Sequence, residues 1–256
     1  MDRKFLRVIH NGEIIKGYME DGIVFPIEGE FWDDFKVTGE KFPASEIDEW
    51  LPPVIPSKLI AIGLNYRAHA EETKHAIPET PVSFLKSPTS LTGHNSDIIY
   101  PVGATSIVDY EAELAVVIGK CAYKVDENEA LKYVFGYTCA NDVSARDIQK
   151  RDGQWMLCKS FNTFNPLGPW IVCGVSPFDL RVVSRLNGSV RQDSRTSDMI
   201  FNVSYLIHFL SQVMPLLPGD VIITGTPSGI GRMKEGDKIE IEVENIGVLS
   251  NTVKLP

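Results

Sequence analysis

Two acidic residues open an apolar stretch in the segment DYEAELAVVIG, residues 109–119. Leu114 to Ile118 form the continuous apolar run of a strand that is buried on both faces. Because side chains two residues apart in a strand point to the same side, we expect Glu111 and Glu113 to project together. Burying one unpaired carboxylate costs several kcal/mol, and a second acid beside it raises a pKa or demands a cation. The alternative is a strand end at which both acids face water.

A third carboxylate follows a separate predicted strand, in the segment CANDVSARD. Mg²⁺ takes oxygen ligands in octahedral geometry and keeps some waters. Two carboxylates from one strand and one from another can occupy one side of such an ion and leave the other side for water or substrate. Glu111, Glu113 and Asp142 are therefore candidate ligands of a divalent cation. The N-cap of a helix is the alternative role for Asp142.

His69 and Glu72 stand three residues apart in NYRAHAEE, a segment with helical composition. At that spacing the acid can orient the imidazole, as in a general base and the group that holds it. An exposed His–Glu pair is the alternative. Lys159 lies within the apolar stretch WMLCKSFNTF, where an ammonium group needs an anionic partner. A surface lysine whose aliphatic stem covers apolar side chains is the alternative there.

The glycine-rich segment TGTPSGIG, residues 224–231, follows the predicted strand GDVIIT. It lacks the Gly-Lys-Ser/Thr ending of a P-loop and no clear helix follows it, which excludes that motif. We expect a tight turn at Gly225 and beyond, in which backbone N–H groups and the Thr226 hydroxyl contact a small anion.

The composition bounds the class of protein. The chain has 256 residues, 43% hydrophobic and 23% charged, as in an ordinary globular protein. A formal net charge of −9 argues against nucleic acid or an anionic membrane as the main partner, since both require a basic face. The sequence offers neither the apolar block of a signal peptide nor a run long enough for a membrane helix, so we expect a cytoplasmic location. Four cysteines without C-x-x-C spacing predict reduced thiols, mostly buried.

Turn and breaker residues divide the chain. The dipeptides Asn11-Gly12 and Asp21-Gly22 predict hairpins, and three prolines in LPPVIPSK then stop regular structure. We predict a small strand-rich N-terminal domain over residues 1–56 and a main domain over residues 57–256. Helices are predicted in ENEALKYVF and NVSYLIHFLSQVM, whereas DKIEIEVENIGVLSNTVKL alternates as an antiparallel strand does. The predicted fold class is therefore α+β and rich in strands.

Seven segments in this order resemble the fumarylacetoacetate hydrolase family: GLNYRAHAEE, FLKSPTSLTG, DYEAELAVVIGK, GYTCANDVSARDIQ, KSFNTFNPLGPW, TSDMIFNVSYLI and PGDVIITGTPSGIG. The resemblance runs from about Lys58 to the C-terminus. It implies a mixed β-roll catalytic domain, a homodimer, and Mg²⁺ or Mn²⁺ in the site.

Matched residue by residue, the resemblance implies three groups of site residues. The metal ligands are Glu111, Glu113 and Asp142. The water-activating pair of the hydrolytic members is His69 and Glu72. The residues that contact or polarise substrate are Arg146, Gln149, Lys159, Gly225 and Thr226.

Two departures from the family pattern stand out. The founding hydrolase has a fourth carboxylate ligand ahead of its histidine, where this sequence reads AIGLNY and has no acid. Asn162 stands where many relatives have Asp in SFDTF, which bears on the hydrogen bonds around the metal ligands.

The expected function is Mg²⁺- or Mn²⁺-dependent hydrolysis of a carbon–carbon bond in a small 2,4-dioxo acid, of the acylpyruvate or fumarylacetoacetate type, through a metal-stabilised enolate. His69, held by Glu72, would deprotonate water, and Lys159 would offset the growing negative charge. One alternative is a decarboxylase or isomerase of 2-oxo or 2-hydroxydienoic acids, such as oxaloacetate or 2-hydroxyhepta-2,4-diene-1,7-dioate. Another is a catalytically inactive metal-binding relative.

Overall fold

A computed structural model describes residues 3–256. The N-terminal part contains six strands: β1 (Lys4–His10), β2 (Glu13–Glu20), β3 (Ile23–Glu28), β4 (Lys36–Val37), β5 (Phe42–Pro43) and β6 (Glu49–Leu51).

Fifteen further strands follow in the described chain: β7 (Leu59–Gly63), β8 (Val82–Lys86), β9 (Leu91–Thr92), β10 (Asp97–Ile99), β11 (Val108–Tyr110), β12 (Ala112–Ile118), β13 (Val134–Asn141), β14 (Ser144–Ala145), β15 (Asn165–Val172), β16 (Arg181–Leu186), β17 (Ser189–Arg195), β18 (Val221–Ile223), β19 (Gly231–Arg232), β20 (Lys238–Val243) and β21 (Gly247–Lys254). The α-helices are α1 (Arg67–Glu72), α2 (Arg146–Asp152), α3 (Trp155–Cys158) and α4 (Val203–Val213). Short 3₁₀ helices span Ala44–Glu46, Pro88–Ser90, Glu127–Tyr133 and Thr196–Asp198.

The strands form three sheets. The largest runs β4-β3-β2-β1-β15-β13-β12-β18-β7-β8, with β5, β6 and β9 attached at its side. The second runs β10-β21-β20-β16-β17, and the third β14-β11-β19. Parallel pairs such as β18 with β7 occur among mainly antiparallel ones. The predicted strand-rich α+β class with mixed sheets is confirmed.

The N-terminal strands belong to the largest sheet. Strand β1 pairs antiparallel with β15, with Lys4 opposite Val172 and Phe5 opposite Ile171. The hairpins predicted at Asn11-Gly12 and Asp21-Gly22 join β1 to β2 and β2 to β3. The sheet therefore runs without a break from the first hairpin into the part of the chain that carries the acidic segment.

Strand β12 is an interior strand of the largest sheet, between β13 and β18, and is buried on both faces. Leu114 and Val116 pack into one hydrophobic cluster, whereas Ala115 and Val117 pack into another on the opposite face. This confirms the strand predicted from Leu114 to Ile118. It also fixes the acids at its start within the interior.

The helix α4 is confirmed, and the Asn202 side chain caps it by accepting the N–H of Tyr205. The predicted helix in ENEALKYVF is wrong in type and extent, because a 3₁₀ helix ends at Tyr133. The Tyr133 carbonyl accepts the N–H of Gly119, which draws the chain into β13.

The thiols divide evenly between interior and surface. Cys139 and Cys158 are buried, but Cys121 and Cys173 are exposed, so the prediction of mostly buried cysteines is wrong for half of them.

Within residues 3–256, no helix has the length and apolar character needed to cross a membrane.

Candidate active site

Three carboxylates converge in the interior where β12 begins and β13 ends. Glu111, Glu113 and Asp142 each offer an oxygen, and these oxygens lie within 4.8 Å of one another. Their exposed fractions are 4%, 1% and 1%, so the water-facing strand end is excluded. The N-cap position of α2 belongs to Ala145, which excludes the capping role for Asp142.

Two buried lysines bond two of the three carboxylates. Lys159 Nζ lies 2.8 Å from Glu111 Oε2 and 2.6 Å from Asp142 Oδ2. Lys86 Nζ bonds the other Asp142 oxygen and donates to the Phe164 carbonyl at 3.2 Å. Lys159 is therefore a buried charge with two anionic partners, and the surface alternative for it is wrong.

The surroundings drive the pKa values of the two glutamates apart. Burial raises the pKa of the Glu113 carboxyl well above its usual range, and the negative charges of Asp142 and Glu111 add to this effect. Burial also opposes ionisation of Glu111, but Lys159 and Arg146 outweigh it and lower the pKa of that carboxyl. The available cations thus neutralise Glu111 and leave Glu113 without an adequate partner.

This donor set fits a hard divalent cation. Carboxylate oxygens are the ligands that Mg²⁺ and Mn²⁺ prefer, and the three oxygens are close enough to share one ion. A cation would also offset the burial and the neighbouring negative charges that together keep the pKa of Glu113 high. Glu111, Glu113 and Asp142 are therefore the residues that could hold such an ion.

A cavity of about 690 Å³ opens beside the carboxylates. Its walls include Glu111, Lys159 and the helix α1, which brings His69 and Glu72 to the opening. His69 Nδ1 lies 3.2 Å from Glu72 Oε2. A carboxylate partner there requires a proton on Nδ1, so Nε2 is the nitrogen left to accept a proton. His69 is buried, which excludes the exposed-pair alternative for the imidazole.

Backbone N–H groups of the turn after β18 donate hydrogen bonds to side chains of the site. The Gly225 N–H donates to Glu113 Oε2 at 2.6 Å, and the Gly229 N–H donates to Glu72 Oε1 at 3.0 Å. The Thr226 hydroxyl donates to the Ala112 carbonyl at 2.9 Å and accepts from Gln192 Nε2 at 2.7 Å. The substrate contacts predicted for Gly225 and Thr226 stay predictions, since both groups already hold protein partners.

Arg146 and Gln149 line the cavity, as the first and fourth residues of α2. Arg146 bonds Glu111 through Nη2, and its Nη1 donates to Gln149 Oε1 at 2.6 Å. Asn162 is exposed on a turn, and its described hydrogen bond uses only its backbone carbonyl. Within residues 3–256, no side-chain hydrogen bond joins Asn162 to the carboxylates.

Asp109 and Lys86 make ion pairs within the site, although neither had a predicted role. Asp109 lines the cavity and accepts the Nε–H of Arg146 at 2.9 Å. The sequence could have predicted this position, because Asp109, Glu111 and Glu113 are spaced two residues apart and such side chains point to the same side of an extended chain. Lys86 gives no comparable signal, since its partner Asp142 lies 56 residues away.

The fumarylacetoacetate (FAA) hydrolase C-terminal family matches residues 58–254, and the Rv2993c-like N-terminal family matches residues 3–53. The chain therefore belongs to the fumarylacetoacetate hydrolase family.

Three relatives span the chemistry named in this family. Oxaloacetate tautomerase YisK of Bacillus subtilis is 45% identical over 225 residues, covering 83% of this chain and 75% of that protein. A 2-hydroxyhepta-2,4-diene-1,7-dioate isomerase from Mycobacterium marinum is 38% identical with a TM-score of 0.91, covering 99% of this chain and 98% of that one. A fumarylpyruvate hydrolase from Pseudomonas aeruginosa, in complex with Mn²⁺ and pyruvate, is 28% identical with a TM-score of 0.75, covering 82% and 93%.

Proposed function

We propose that this protein is a Mg²⁺- or Mn²⁺-dependent enzyme that binds a small 2-oxo carboxylic acid and transfers a proton at its C3 through His69. The observation that carries the proposal is the position of the His69–Glu72 pair on the same cavity as Glu111 and Lys159. A base, an acidic metal site and a buried cation at one opening are the parts that enolisation requires.

Each side chain has a role that follows from its position. Glu111, Glu113 and Asp142 would hold the cation, which supplies Lewis acidity to the 2-oxo group when bound. His69 removes a proton from C3, the electron pair of that C–H bond passes to the C2 oxygen, and the imidazolium returns the proton to this oxygen to give the enol. Glu72 stabilises the resulting imidazolium.

The remaining polar groups act on the substrate's charge. Lys159 lies between Glu111 and Asp142 and offsets negative charge at the C2 oxygen. Arg146 and Gln149 contact the substrate carboxylate from α2, together with the turn at Gly225 and Thr226.

The reaction we propose first is the interconversion of the keto and enol forms of an oxaloacetate-type acid. The support is the identity of 45% to an oxaloacetate tautomerase, at a site whose base needs no further group for this reaction. A second carboxylate on the substrate also suits the opening. Lys74 and Lys150 line the cavity, and neither has an ion-pair partner within residues 3–256.

Hydrolysis of a 2,4-dioxo acid is the second candidate reaction. His69 would then deprotonate water for attack on the distal carbonyl carbon, the bond from that carbon to C3 would break, and the imidazolium would return the proton to the departing enolate. The likeness to a fumarylpyruvate hydrolase that holds Mn²⁺ and pyruvate supports it.

We also propose a cytoplasmic homodimer of two-domain chains, divided at residue 56. Exposed apolar side chains on β8, an edge strand of the largest sheet, and on the adjacent α3 support the dimer: Val82, Leu85, Met156 and Leu157. Light scattering at micromolar concentration should give twice the mass of the chain, and a monomer would contradict the proposal.

An ultraviolet assay tests the proposed function. Initial rates are measured for oxaloacetate enolisation and decarboxylation, for a series of acylpyruvates and for 2-hydroxydienoates, with and without Mg²⁺ or Mn²⁺. We expect metal-dependent enolisation of oxaloacetate that is lost in His69→Ala. Turnover of acylpyruvates alone would select the hydrolase, and turnover of no 2-oxo acid would favour an inactive metal-binding relative.

A further inference from the structure

We propose that Asp109 is a positioning residue, which fixes the guanidinium of Arg146 so that its free N–H groups face the carboxylate of the 2-oxo acid. The inference rests on the proposed function, in which Arg146 contacts that carboxylate. Asp109 itself would not touch the substrate.

The backbone brings the two residues together. Strand β11 pairs antiparallel with β14, so Val108 lies opposite Ala145 and Asp109 opposite Ser144. Arg146 follows directly, and its N–H donates to the Ile107 carbonyl at 2.8 Å. On its other edge β11 pairs with β19, with Asp109 opposite Arg232. The backbone of Asp109 is thus paired with a strand on each side, so its position is fixed and its carboxylate can orient the side chain of Arg146.

The hydrogen bonds of Arg146 leave a defined edge for a ligand. A guanidinium has five N–H groups in a planar fork. Nε donates to Asp109 Oδ2 at 2.9 Å, one Nη1 hydrogen goes to Gln149, and one Nη2 hydrogen goes to Glu111. One hydrogen on each Nη atom is left, and two such hydrogens match the two oxygens of a carboxylate. Because the fork is planar, the bond at Nε sets the direction of that edge.

The state of Asp109 is hard to explain by stability alone. Its side chain is buried, yet Oδ1 has no hydrogen-bond partner among the described residues. A buried carboxylate with one unsatisfied oxygen costs free energy. Groups kept at such a cost are typical of functional sites.

A mutant cycle tests the proposal. The variants are Asp109→Ala, Asp109→Asn, Arg146→Met and Asp109→Ala with Arg146→Met. Asp193→Ala is the matched control, because Asp193 also accepts an arginine Nε–H, that of Arg181 at 2.7 Å, but on the surface. The measurements are kcat and KM for oxaloacetate, and the Kd of oxalate at saturating Mg²⁺ by calorimetry. Oxalate presents adjacent carboxylate and carbonyl oxygens and has no C3, so its binding does not depend on turnover.

We expect Asp109→Ala to raise both KM and the Kd of oxalate about tenfold or more, with kcat changed by less than about threefold. Asp109→Asn retains an acceptor for the Nε–H and should recover most of that loss. In the Arg146→Met background, Asp109→Ala should add less than about twofold, since no guanidinium remains to be positioned. Asp193→Ala should match the parent in every measurement.

Several outcomes would overturn the inference. An unchanged Kd in Asp109→Ala, or the same increase in the Arg146→Met background, would exclude a role through Arg146. Failure of both Asp109 variants to fold would make the residue structural. If Arg146→Met alone leaves KM and Kd at the parent values, the proposed role of Arg146 fails, and Asp109 has nothing to position.

Discussion

The backbone N–H of Gly229 donates to Glu72 Oε1 at 3.0 Å, although the two residues are 157 positions apart in the chain. The other oxygen of Glu72 contacts His69, so the turn after β18 fixes the carboxylate that orients the imidazole. Gly229 has a φ of +98°, and a Cβ there would lie 2.2 Å from the Arg191 carbonyl oxygen. Only glycine fits this position without moving the turn.

Gly229→Ala should therefore lower kcat for oxaloacetate by about tenfold, because a displaced turn no longer holds Glu72. Gly236→Ala is the matched control: its φ is +83°, and a Cβ there meets nothing within 4 Å. Both variants should lose about 1 kcal/mol of stability to backbone strain, and Gly229→Ala should lose more because its Cβ meets the Arg191 carbonyl, but only Gly229→Ala should lose activity. Equal kcat values in the two variants would show that Glu72 needs no support from the turn.

Removal of Glu113 should weaken metal binding without unfolding the protein. Glu113→Ala takes away one of three candidate ligands and also the carboxylate whose charge is least compensated. We expect calorimetric Mn²⁺ affinity to fall by at least about tenfold. In metal-free buffer the Tm should equal or exceed that of the parent, because a buried repulsion is gone.

Glu113→Gln is the companion variant, since it keeps the volume and an acceptor for the Gly225 N–H. It should behave in the same way. Unchanged Mn²⁺ affinity in both variants would remove Glu113 from the ligand set.

The parts of the site that sequence could predict are those set by local spacing. The alternation at Glu111 and Glu113 and the helical spacing of His69 and Glu72 each place two side chains on one side of an element. Lys86 and Gly229 could not be found in this way, because their partners depend on sheet register and on a turn that returns from far along the chain.

The fold shows the same division. Turn dipeptides predict the N-terminal hairpins, and continuous hydrophobicity predicts the buried β12. Pairing of β1 with β15, which joins the N-terminal strands to the largest sheet, leaves no local signal in the sequence. The segment after Asp126 has helical composition, yet its last residues are taken into β13 by contacts with Gly119.

His94 should make the protein less stable in mild acid. Burial, with a smaller effect of Lys238, lowers the pKa of its imidazole from 6.5 to about 4, and Nδ1 accepts the N–H of Ser250 at 3.1 Å. Below pH 6.5 the imidazole of His94 therefore binds a proton in the unfolded chain, whereas in the folded chain it binds one only near pH 4. Stability from this residue is complete above pH 6.5 and decreases as the pH falls to 4. Because His94 is only half-buried, we expect a loss of about 2 kcal/mol.

The variant His94→Asn removes the titrating group and keeps an acceptor for Ser250. Urea unfolding at intervals from pH 8 to pH 4 should show parent and variant moving apart below pH 6.5, with the variant losing less stability. Parallel stability curves over the whole range would contradict the assignment.

The lysines at the opening should select substrates with a second carboxylate. Lys150→Met and Lys74→Met should each raise KM for oxaloacetate about threefold to tenfold and leave KM for pyruvate-type monoacids nearly unchanged, because only the dianion has a charge to place there. Lys120→Met, an exposed lysine outside the cavity lining, is the control. Equal increases for mono- and dicarboxylates would indicate general attraction of anions instead of recognition of the second group.

His69 and Glu72 distinguish the candidate reactions. Hydrolysis needs a base to generate hydroxide, and enolisation needs one to remove the C3 proton, whereas decarboxylation mainly needs the cation and an orientation that lets CO₂ leave. His69→Ala should therefore reduce acylpyruvate hydrolysis and oxaloacetate enolisation by about 10²-fold or more, while any oxaloacetate decarboxylation survives better. Glu72→Gln should act in the same direction, because it no longer stabilises the charged imidazole.

Lys159→Met is the control and should lower the rates of all three reactions, since it removes a positive charge that every route uses. Initial rates at saturating Mg²⁺ decide the matter: if His69→Ala both hydrolyses acylpyruvates and enolises oxaloacetate at the parent rate, the base assigned here is wrong.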